Sequence, residues 1–136
     1  MKNLADMVVL FVDDDTENLK ALNRILHGEP YKKRFAESGA KALEIIETEN
    51  IVVIASDLKM PDLSGEQLIR AVKSRFPETV CILMSGANDV EHIVESLGED
   101  MLFGFVTKPI SIMALKQLIN DAIPRFNSSA EKGNET

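Results

Sequence analysis

The chain has 136 residues, of which 45% are hydrophobic and 27% are charged, and its formal net charge is −7. These values are typical of one compact globular domain, and the acidic balance argues against direct binding of nucleic acid. The single cysteine, Cys81, excludes an intramolecular disulfide. No apolar stretch approaches the roughly 20 residues of a membrane span. Asp6 interrupts any signal-peptide layout, so the cytoplasm is the expected compartment.

Short apolar runs, rich in valine and isoleucine, alternate along the chain with amphipathic stretches. Runs of this length with polar residues at both ends predict buried strands. The five runs cover residues 7–12, 33–36, 51–56, 80–84 and 103–107. The second run is largely polar, because it includes Lys33 and Arg34, and it therefore suits the edge of a sheet.

Apolar residues at helical spacing predict a helix after each strand. The five stripes are Leu19, Leu22, Ile25 and Leu26; Ala42, Leu43 and Ile46; Leu68, Ile69 and Val72; Val90, Ile93, Val94 and Leu97; and Ile112, Leu115, Leu118, Ile119 and Ala122. Asp15 or Thr16 is expected to cap the first helix. Ser38 is expected to cap the second helix, and Ser64 with Gln67 has the spacing of a capping box for the third.

Two residues are expected at helix ends, and a change of composition follows the last helix. Gly28 can close the first helix in a left-handed conformation, and Pro124 lies near the end of the fifth. From about Asn127 the chain is polar and has no apolar anchor, which predicts a disordered tail or the start of a linker. We therefore assign residues 1–125 to one domain and residues 126–136 to that tail or linker.

Alternating strands and helices predict a doubly wound (βα)5 fold of the α/β class, with a parallel sheet, right-handed crossovers and helices on both faces. Open sheets of this kind bind ligands beyond the carboxyl ends of their strands. The candidate site residues are therefore those that follow the predicted strands. They are Asp13 and Asp14 after the first strand, Asp57 after the third, Ser85 after the fourth and Lys108 after the fifth.

This set of side chains has a common chemistry, although each residue alone could be an ordinary turn, cap or surface residue. Three carboxylates in contact repel one another by about 4 kcal/mol per pair at an effective dielectric of 20. A divalent cation relieves that repulsion, and oxygen ligands favour Mg²⁺ together with a phosphate. Lys108 supplies a positive charge and Ser85 a hydroxyl donor. Together they suit phosphoryl transfer, in which one carboxylate can be the nucleophile.

Four segments at these strand ends resemble the motifs of response-regulator receiver domains, the phosphoacceptor domains of two-component systems. The segments are residues 8–15 (VVLFVDDD), 56–65 (SDLKMPDLSG), 84–86 (MSG) and 106–109 (VTKP), and the resemblance covers residues 5–124. It implies a flavodoxin-like sandwich whose five parallel strands have the order 2-1-3-4-5. It also implies a signalling domain that catalyses only its own phosphorylation and dephosphorylation.

The resemblance implies a role for each residue of the candidate site. Asp57 is similar to the phosphoacceptor, and Lys108 to the lysine that pairs with a phosphoryl oxygen. Asp14 is similar to the direct Mg²⁺ ligand, and Asp13 to its companion, which often acts through water. The backbone carbonyl of Lys59 would be the third protein ligand, beside the carboxylate of Asp57.

Two further positions imply a conformational switch. Ser85 resembles the hydroxyl that turns towards the bound phosphoryl group, and Phe105 occupies the position of the switch aromatic, which is often tyrosine. The surface expected to change consists of the fourth helix, the fifth strand and the fifth helix. Gly86, where alanine is common, and the basic side chain of Lys59 depart from the usual pattern.

The resemblance also implies partners. A histidine kinase or phosphotransfer protein would supply the phosphoryl group, and an output domain or partner protein would receive the signal. Residues 98–109 and 56–61 are most similar to receivers attached to HD-GYP-type cyclic-dinucleotide phosphodiesterases. The switching surface could also form a homodimer. Neither a nucleic acid nor a membrane is expected as a direct partner.

Two other functions are compatible with parts of the pattern. Residues 12–15 resemble the nucleophile motif of haloacid-dehalogenase-type phosphohydrolases, but the acidic pair of that family follows its lysine, whereas Glu99 and Asp100 precede Lys108. That alternative also leaves Asp57 without a role. The second alternative is a pseudo-receiver, a binding module that keeps the fold without being phosphorylated.

Overall fold

The structure, a computed structural model, describes residues 3–86 and 88–134, and the side chains of residues 90 and 127–134 lie outside the description. Five strands and five α-helices alternate within the described residues, after a short 3-10 turn at Leu4–Asp6. The strands are β1 (Val8–Val12), β2 (Lys32–Ala36), β3 (Ile51–Asp57), β4 (Val80–Gly86) and β5 (Gly104–Lys108). The helices are α1 (Thr16–Ile25), α2 (Gly39–Thr48), α3 (Gly65–Arg75), α4 (Val90–Leu97) and α5 (Ile112–Asn134).

All five strands pair in parallel, in the order β2-β1-β3-β4-β5. This topology confirms the predicted doubly wound α/β fold and the strand order implied by the receiver resemblance. The polar strand β2 lies at one edge, as its sequence indicates. The central strand β3 is buried at every position, because helices cover both of its faces.

The core consists of two apolar layers, one on each face of the sheet. Alternate residues of β1 point to opposite faces, so Phe11 belongs to one layer and Leu10 to the other. Helices α1 and α5 complete the first layer, for example through Leu22 and Ile119. Helices α2, α3 and α4 complete the second layer, which includes the free cysteine Cys81.

The predicted helix caps at three helix starts are present. The Asp15 side chain accepts a hydrogen bond from the Glu17 amide at the start of α1, and Ser38 caps α2. Ser64 and Gln67 form the reciprocal capping box at the start of α3. Each cap satisfies amide groups that have no partner within the helix. These caps determine where the loops after β1, β2 and β3 end.

The end of α1 differs from the prediction. The helix ends at Ile25, and Gly28 is not left-handed; within residues 3–86 and 88–134 the only positive φ belongs to Gly98, at 75°. The Glu29 amide donates a hydrogen bond to the Leu26 carbonyl at 3.0 Å, so the chain leaves α1 through ordinary turns. A left-handed residue is therefore not needed there.

Helix α5 is longer than the sequence predicts, because its backbone continues through Pro124 to Asn134. Proline removes one backbone donor from the helix, and that loss does not end the helix at this position. The division between a domain ending at residue 125 and a tail from residue 126 stays a prediction, and residues 135 and 136 lie outside the described chain. Among residues 3–86 and 88–134, none of the helices combines the length and the apolar composition that a membrane span requires.

Candidate functional site

The carboxyl ends of β1, β3 and β5 bring four charged side chains to one edge of the sheet. Asp13 and Asp14 follow β1 directly, Asp57 is the last residue of β3, and Lys108 is the last residue of β5. One carboxylate oxygen from each of the three aspartates lies within 4.8 Å of the others. The structure therefore brings together the charged residues that the strand-end rule selected from the sequence.

Lys108 provides a positive charge within this acidic cluster. Its Nζ lies 2.9 Å from Oδ1 of Asp57 and 3.9 Å from Oδ2 of Asp13. The Lys108 side chain is 32% exposed, whereas Asp13 and Asp57 are buried. Because the cluster has three carboxylates and one ammonium group, Lys108 neutralises only part of the negative charge.

Asp13 is the most deeply buried of the three carboxylates, with 1% of its surface exposed. Burial is the main cause that raises the pKa of Asp13, and the nearby charge of Asp57 raises it further. Hydrogen bonds oppose this shift: the Asp15 amide donates to Oδ1 at 2.9 Å, and Asn18 Nδ2 donates to Oδ2 at 3.2 Å. An added cation would make the charged form of Asp13 less costly.

Asp14 is exposed and lines an open cleft between the loop after β3 and the start of α4. Lys59 lies in the same cleft, and its Nζ forms an ion pair with Oδ2 of Asp89 at 3.3 Å. The Lys59 side chain is therefore directed towards α4 in this structure. The proposed role of its backbone carbonyl as a metal ligand remains a prediction.

The predicted conformational switch involves the side chains of Ser85 and Phe105. The Ser85 side chain is buried, and its Oγ donates a hydrogen bond to the carbonyl of Gly86 at 3.2 Å. Phe105 is 41% exposed and lies beside α4. The hydroxyl group is thus engaged with the backbone while the aromatic ring faces outwards.

Ser56 and Gly65 hold the backbone of Asp57, a role that the sequence reasoning did not assign. Ser56 Oγ donates a hydrogen bond to the Asp57 carbonyl at 2.8 Å. Gly65 packs so closely that a Cβ there would lie 2.4 Å from the same carbonyl oxygen. The sequence does contain one indication of this close contact: Gly65 is a glycine at the first position of α3, where a helix favours other residues.

Asp62 connects the loop after β3 to helix α2, a contact that the sequence pattern does not predict. Its carboxylate accepts hydrogen bonds from the Gly39 amide at 3.2 Å and the Ala40 amide at 2.9 Å. These bonds lower the pKa of Asp62, the Ala40 amide having the largest effect. The loop that follows the phosphoacceptor candidate is thereby fixed to the amino end of α2.

Residues 9–120 match the family described as response regulator receiver domain. The chain belongs to this family. The receiver domain is thus the unit formed by β1 to α5, and its acidic cluster lies where the family resemblance predicted it. The haloacid-dehalogenase alternative is wrong, because the family match accounts for most of the chain.

Relatives of this receiver domain occur in proteins with different activities. It is 34% identical over 115 residues to the transcriptional regulatory protein GlrR of Escherichia coli K12, a match that covers 85% of this chain and 26% of the relative. It is 30% identical over 117 residues to a cyclic di-GMP phosphodiesterase of Thermotoga maritima, covering 86% of this chain and 31% of the relative. The chain therefore spans about a quarter to a third of the length of these relatives.

A solved structure confirms the fold of this receiver domain independently. The CheY-like response regulator receiver domain protein of Methanospirillum hungatei superposes with a TM-score of 0.82 at 27% identity. The match covers 91% of this chain and 98% of the other. The receiver fold is thus shared over nearly the whole of both chains.

Proposed function

We propose that this receiver domain takes a phosphoryl group from a histidine kinase or phosphotransfer protein onto Asp57. The observation that carries the proposal is the position of Asp57, whose Oδ1 lies 2.9 Å from Lys108 within a cluster of three carboxylates. A nucleophilic carboxylate beside a cation is the arrangement that phosphoryl transfer requires, since catalysis there consists mainly of positioning and charge neutralisation.

The donor set fits Mg²⁺. The three clustered side chains offer only carboxylate oxygens, and hard oxygen ligands favour Mg²⁺ over the transition metals. Asp13, Asp14 and Asp57 would hold the ion together with the backbone carbonyl of Lys59. When bound, the ion would neutralise negative charge on the carboxylates and on the incoming phosphoryl group.

Each residue then has a defined task in the transfer. A carboxylate oxygen of Asp57 attacks the phosphorus atom, and the bond from phosphorus to the donor's leaving group breaks. Lys108 stabilises the charge on a phosphoryl oxygen and keeps Asp57 oriented. The same site hydrolyses the acyl phosphate, so the domain catalyses only reactions of its own modification.

Phosphorylation would shift an equilibrium between two conformations. The Ser85 hydroxyl would leave the Gly86 carbonyl and bind a phosphoryl oxygen. Phe105 would then turn inwards from its exposed position, which would change the surface formed by α4, β5 and α5. We call this surface the α4–β5–α5 face, and we propose it as the contact with an output domain, a partner protein or a second copy.

The relatives support two kinds of output. One relative is named as a transcriptional regulator and another as a cyclic di-GMP phosphodiesterase, and this chain covers 26% and 31% of their respective lengths. The sequence similarity to receivers of HD-GYP-type phosphodiesterases favours the second kind. We propose the cytoplasm as the compartment, with no direct contact to nucleic acid or membrane.

Intact-mass spectrometry with acetyl phosphate and Mg²⁺ tests the proposal. The wild-type chain should gain one phosphoryl group, and Asp57→Asn should gain none. Asp100→Asn is the matched control, because Asp100 is an exposed aspartate beyond α4 and should leave labelling unchanged. Mg²⁺ binding without labelling by any phosphodonor would instead support the pseudo-receiver alternative.

A further inference from the structure

A groove between α4 and β5 combines an exposed aromatic ring with acidic walls. It is lined by Glu91, His92, Val94, Glu95 and Phe105. The ring of Phe105 is 41% exposed, although water contact with a large apolar side chain is unfavourable. The half-buried side chain of Val94 adds to the apolar floor. Such a mixture of apolar floor and charged rim is typical of a contact surface.

The acidic walls weaken helix α4 itself. Glu91 and Glu95 are exposed and four residues apart, a spacing at which like charges destabilise a helix. Glu95 lies near the carboxyl end of α4, where the helix dipole disfavours negative charge, and the last turn contains no basic residue. Glu91 lies in the first turn, where the dipole favours negative charge, so the cost to helix stability comes from Glu95 and from its repulsion with Glu91.

Helices α1, α2 and α3 pair acidic side chains with basic ones, and α4 does not. Glu17 pairs with Lys20, Glu44 with Lys41, and Glu66 with Arg70. Among the side chains that the structure describes, none forms an ion pair with Glu91 or Glu95. The groove contains two glutamates and one histidine, His92, so its negative charge is not balanced by the lining residues. A cationic apolar partner would be complementary to both this charge and the apolar floor.

We propose that the α4–β5 groove binds a basic amphipathic helix of the output partner. The inference rests on the proposed role of the α4–β5–α5 face and adds the chemistry of its partner. An apolar side chain would cover Phe105, and lysine or arginine residues four apart would pair with Glu91 and Glu95. Nucleic acid, anionic lipid and the same groove of a second copy are disfavoured, because each brings negative charge to acidic walls.

A fluorescent amphipathic peptide of lysine and leucine is a suitable probe, with a glutamate-and-leucine peptide as its reference. Fluorescence anisotropy should show binding of the basic peptide only. The double variant Glu91→Gln/Glu95→Gln should weaken binding roughly tenfold, since two exposed ion pairs are lost. Phe105→Ala should weaken it roughly thirtyfold, because an aromatic residue at the centre of the contact is removed.

The matched control is Glu37→Gln/Glu78→Gln, which changes the net charge equally. Both residues are exposed and lie outside the groove. This control should change the affinity by less than about twofold, because their distance leaves only screened interactions. An equal loss of affinity in the control and the groove variants would overturn the inference, since the peptide would then respond to the overall charge of −7.

Two other results would also overturn it. In the first, circular dichroism shows that the Phe105→Ala variant is folded, and the variant binds the basic peptide as tightly as the wild type does. That result would exclude the Phe105 ring as a contact. Sedimentation is the second measurement: self-association of the wild type that Phe105→Ala abolishes would identify a second copy as the occupant.

The same assay separates this inference from the proposed phosphorylation switch. The basic peptide should bind the wild type when no phosphoryl group is present, which supports the groove alone. Beryllofluoride with Mg²⁺, a phosphoryl mimic, should then weaken binding to the wild type as Phe105 turns inwards. Binding that depends on the groove variants but not on the mimic would contradict the switch and support the groove.

Discussion

Polar groups are arranged differently where the strands begin, which we call the amino edge of the sheet, and where the strands end, which we call the carboxyl edge. At the amino edge, where the strands begin, Thr79 Oγ donates a buried hydrogen bond to the Ile51 carbonyl at 2.9 Å. At the carboxyl edge, Asp13 and Asp57 are 1% and 8% exposed and lie near each other, with Lys108 as the partial counter-charge. The Thr79 hydroxyl at the first edge connects two strands, whereas the carboxylates at the second edge repel one another.

The difference concerns the free energy of unfolding. A buried hydroxyl bonded to a backbone carbonyl contributes about 1 kcal/mol to stability. A cluster of like charges opposes folding, and such clusters are typical of sites that bind a ligand. Substitutions at the two edges should therefore change stability and phosphorylation in different combinations.

The largest effect is expected from Gly65→Ala at the carboxyl edge. The new Cβ would lie 2.4 Å from the Asp57 carbonyl oxygen and 3.0 Å from the Cα of Leu58, so the backbone must move. We expect a loss of about 3 kcal/mol in the free energy of unfolding, measured with urea, because the core is overpacked. The rate of labelling at Asp57 should also fall, since the displaced backbone carries the proposed nucleophile.

Gly28→Ala is the matched control for Gly65→Ala. Gly28 has no atom within 4 Å of a Cβ position, and its φ is not positive. Alanine there should raise stability by about 0.4–1 kcal/mol, because it restricts the unfolded chain. Similar urea midpoints for the two alanine variants would contradict the close packing of Gly65 against Asp57.

Lys108→Met should have the next largest effect, and its sign should depend on the metal. Without metal, loss of the ammonium group leaves three carboxylates without their counter-charge, and stability should fall by about 1–2 kcal/mol, a reduced value because Lys108 is partly exposed. Mg²⁺ affinity should stay equal or increase, because Lys108 competes with the ion for the same oxygens. Urea unfolding in EDTA and titration with Mg²⁺ measure the two effects.

Lys20→Met provides the comparison for Lys108→Met. Lys20 pairs with Glu17 at 3.4 Å, and both side chains are well exposed. Its removal should change stability by less than about 0.5 kcal/mol, with no change in Mg²⁺ affinity. A large loss of Mg²⁺ affinity in Lys108→Met alone would show that Lys108 holds the site together rather than competing with the ion.

Asp14→Asn should have a smaller effect of opposite sign. It removes one charge from the repulsive cluster, so the metal-free protein should gain about 1 kcal/mol; Asp14 is exposed, which limits the gain. The stabilisation that Mg²⁺ gives the wild type should be largely lost. Thermal melts with EDTA and with Mg²⁺ check both statements. A variant that melts below the wild type in EDTA would refute the repulsion argument.

The sequence predicts the strands, three helix caps and the acidic cluster because each depends on local pattern or on strand order. Asp15, Ser38 and Ser64 act on amides two or three residues away, so their spacing alone identifies them. The strand-end rule similarly places Asp13 and Asp57 together without any knowledge of side-chain geometry.

Contacts between distant segments are not predictable in this way. The ion pair of Lys59 with Asp89 and the bonds of Asp62 to the start of α2 depend on how loops approach helices in three dimensions. At Gly28 the sequence predicted a conformation that is absent. Its position permits a left-handed cap, but the backbone amides after α1 form hydrogen bonds in ordinary turns without one. Local sequence preferences thus limit which backbone conformations are possible, and tertiary packing determines which of them forms.

The smallest effect is expected at the amino edge, from Tyr31→Phe. The Tyr31 hydroxyl is buried and has no hydrogen-bond partner in the described part of the chain. Burial of the hydroxyl also raises the pKa of Tyr31, with a further contribution from Glu29. Removing this oxygen relieves an unsatisfied polar group and leaves the ring in the core, so stability should rise by about 0.5–1 kcal/mol.

Thr79→Val tests the same edge in the opposite direction. It removes a hydroxyl that does bond, to the Ile51 carbonyl, at nearly constant volume, so stability should fall by about 1 kcal/mol. Urea unfolding of both variants therefore distinguishes a bonded hydroxyl from an unbonded one at neighbouring strand starts. A loss of stability in Tyr31→Phe as large as that in Thr79→Val would mean that an ordered water satisfies Tyr31. Phosphorylation at Asp57 should be unchanged in both variants, because the site lies at the other edge of the sheet.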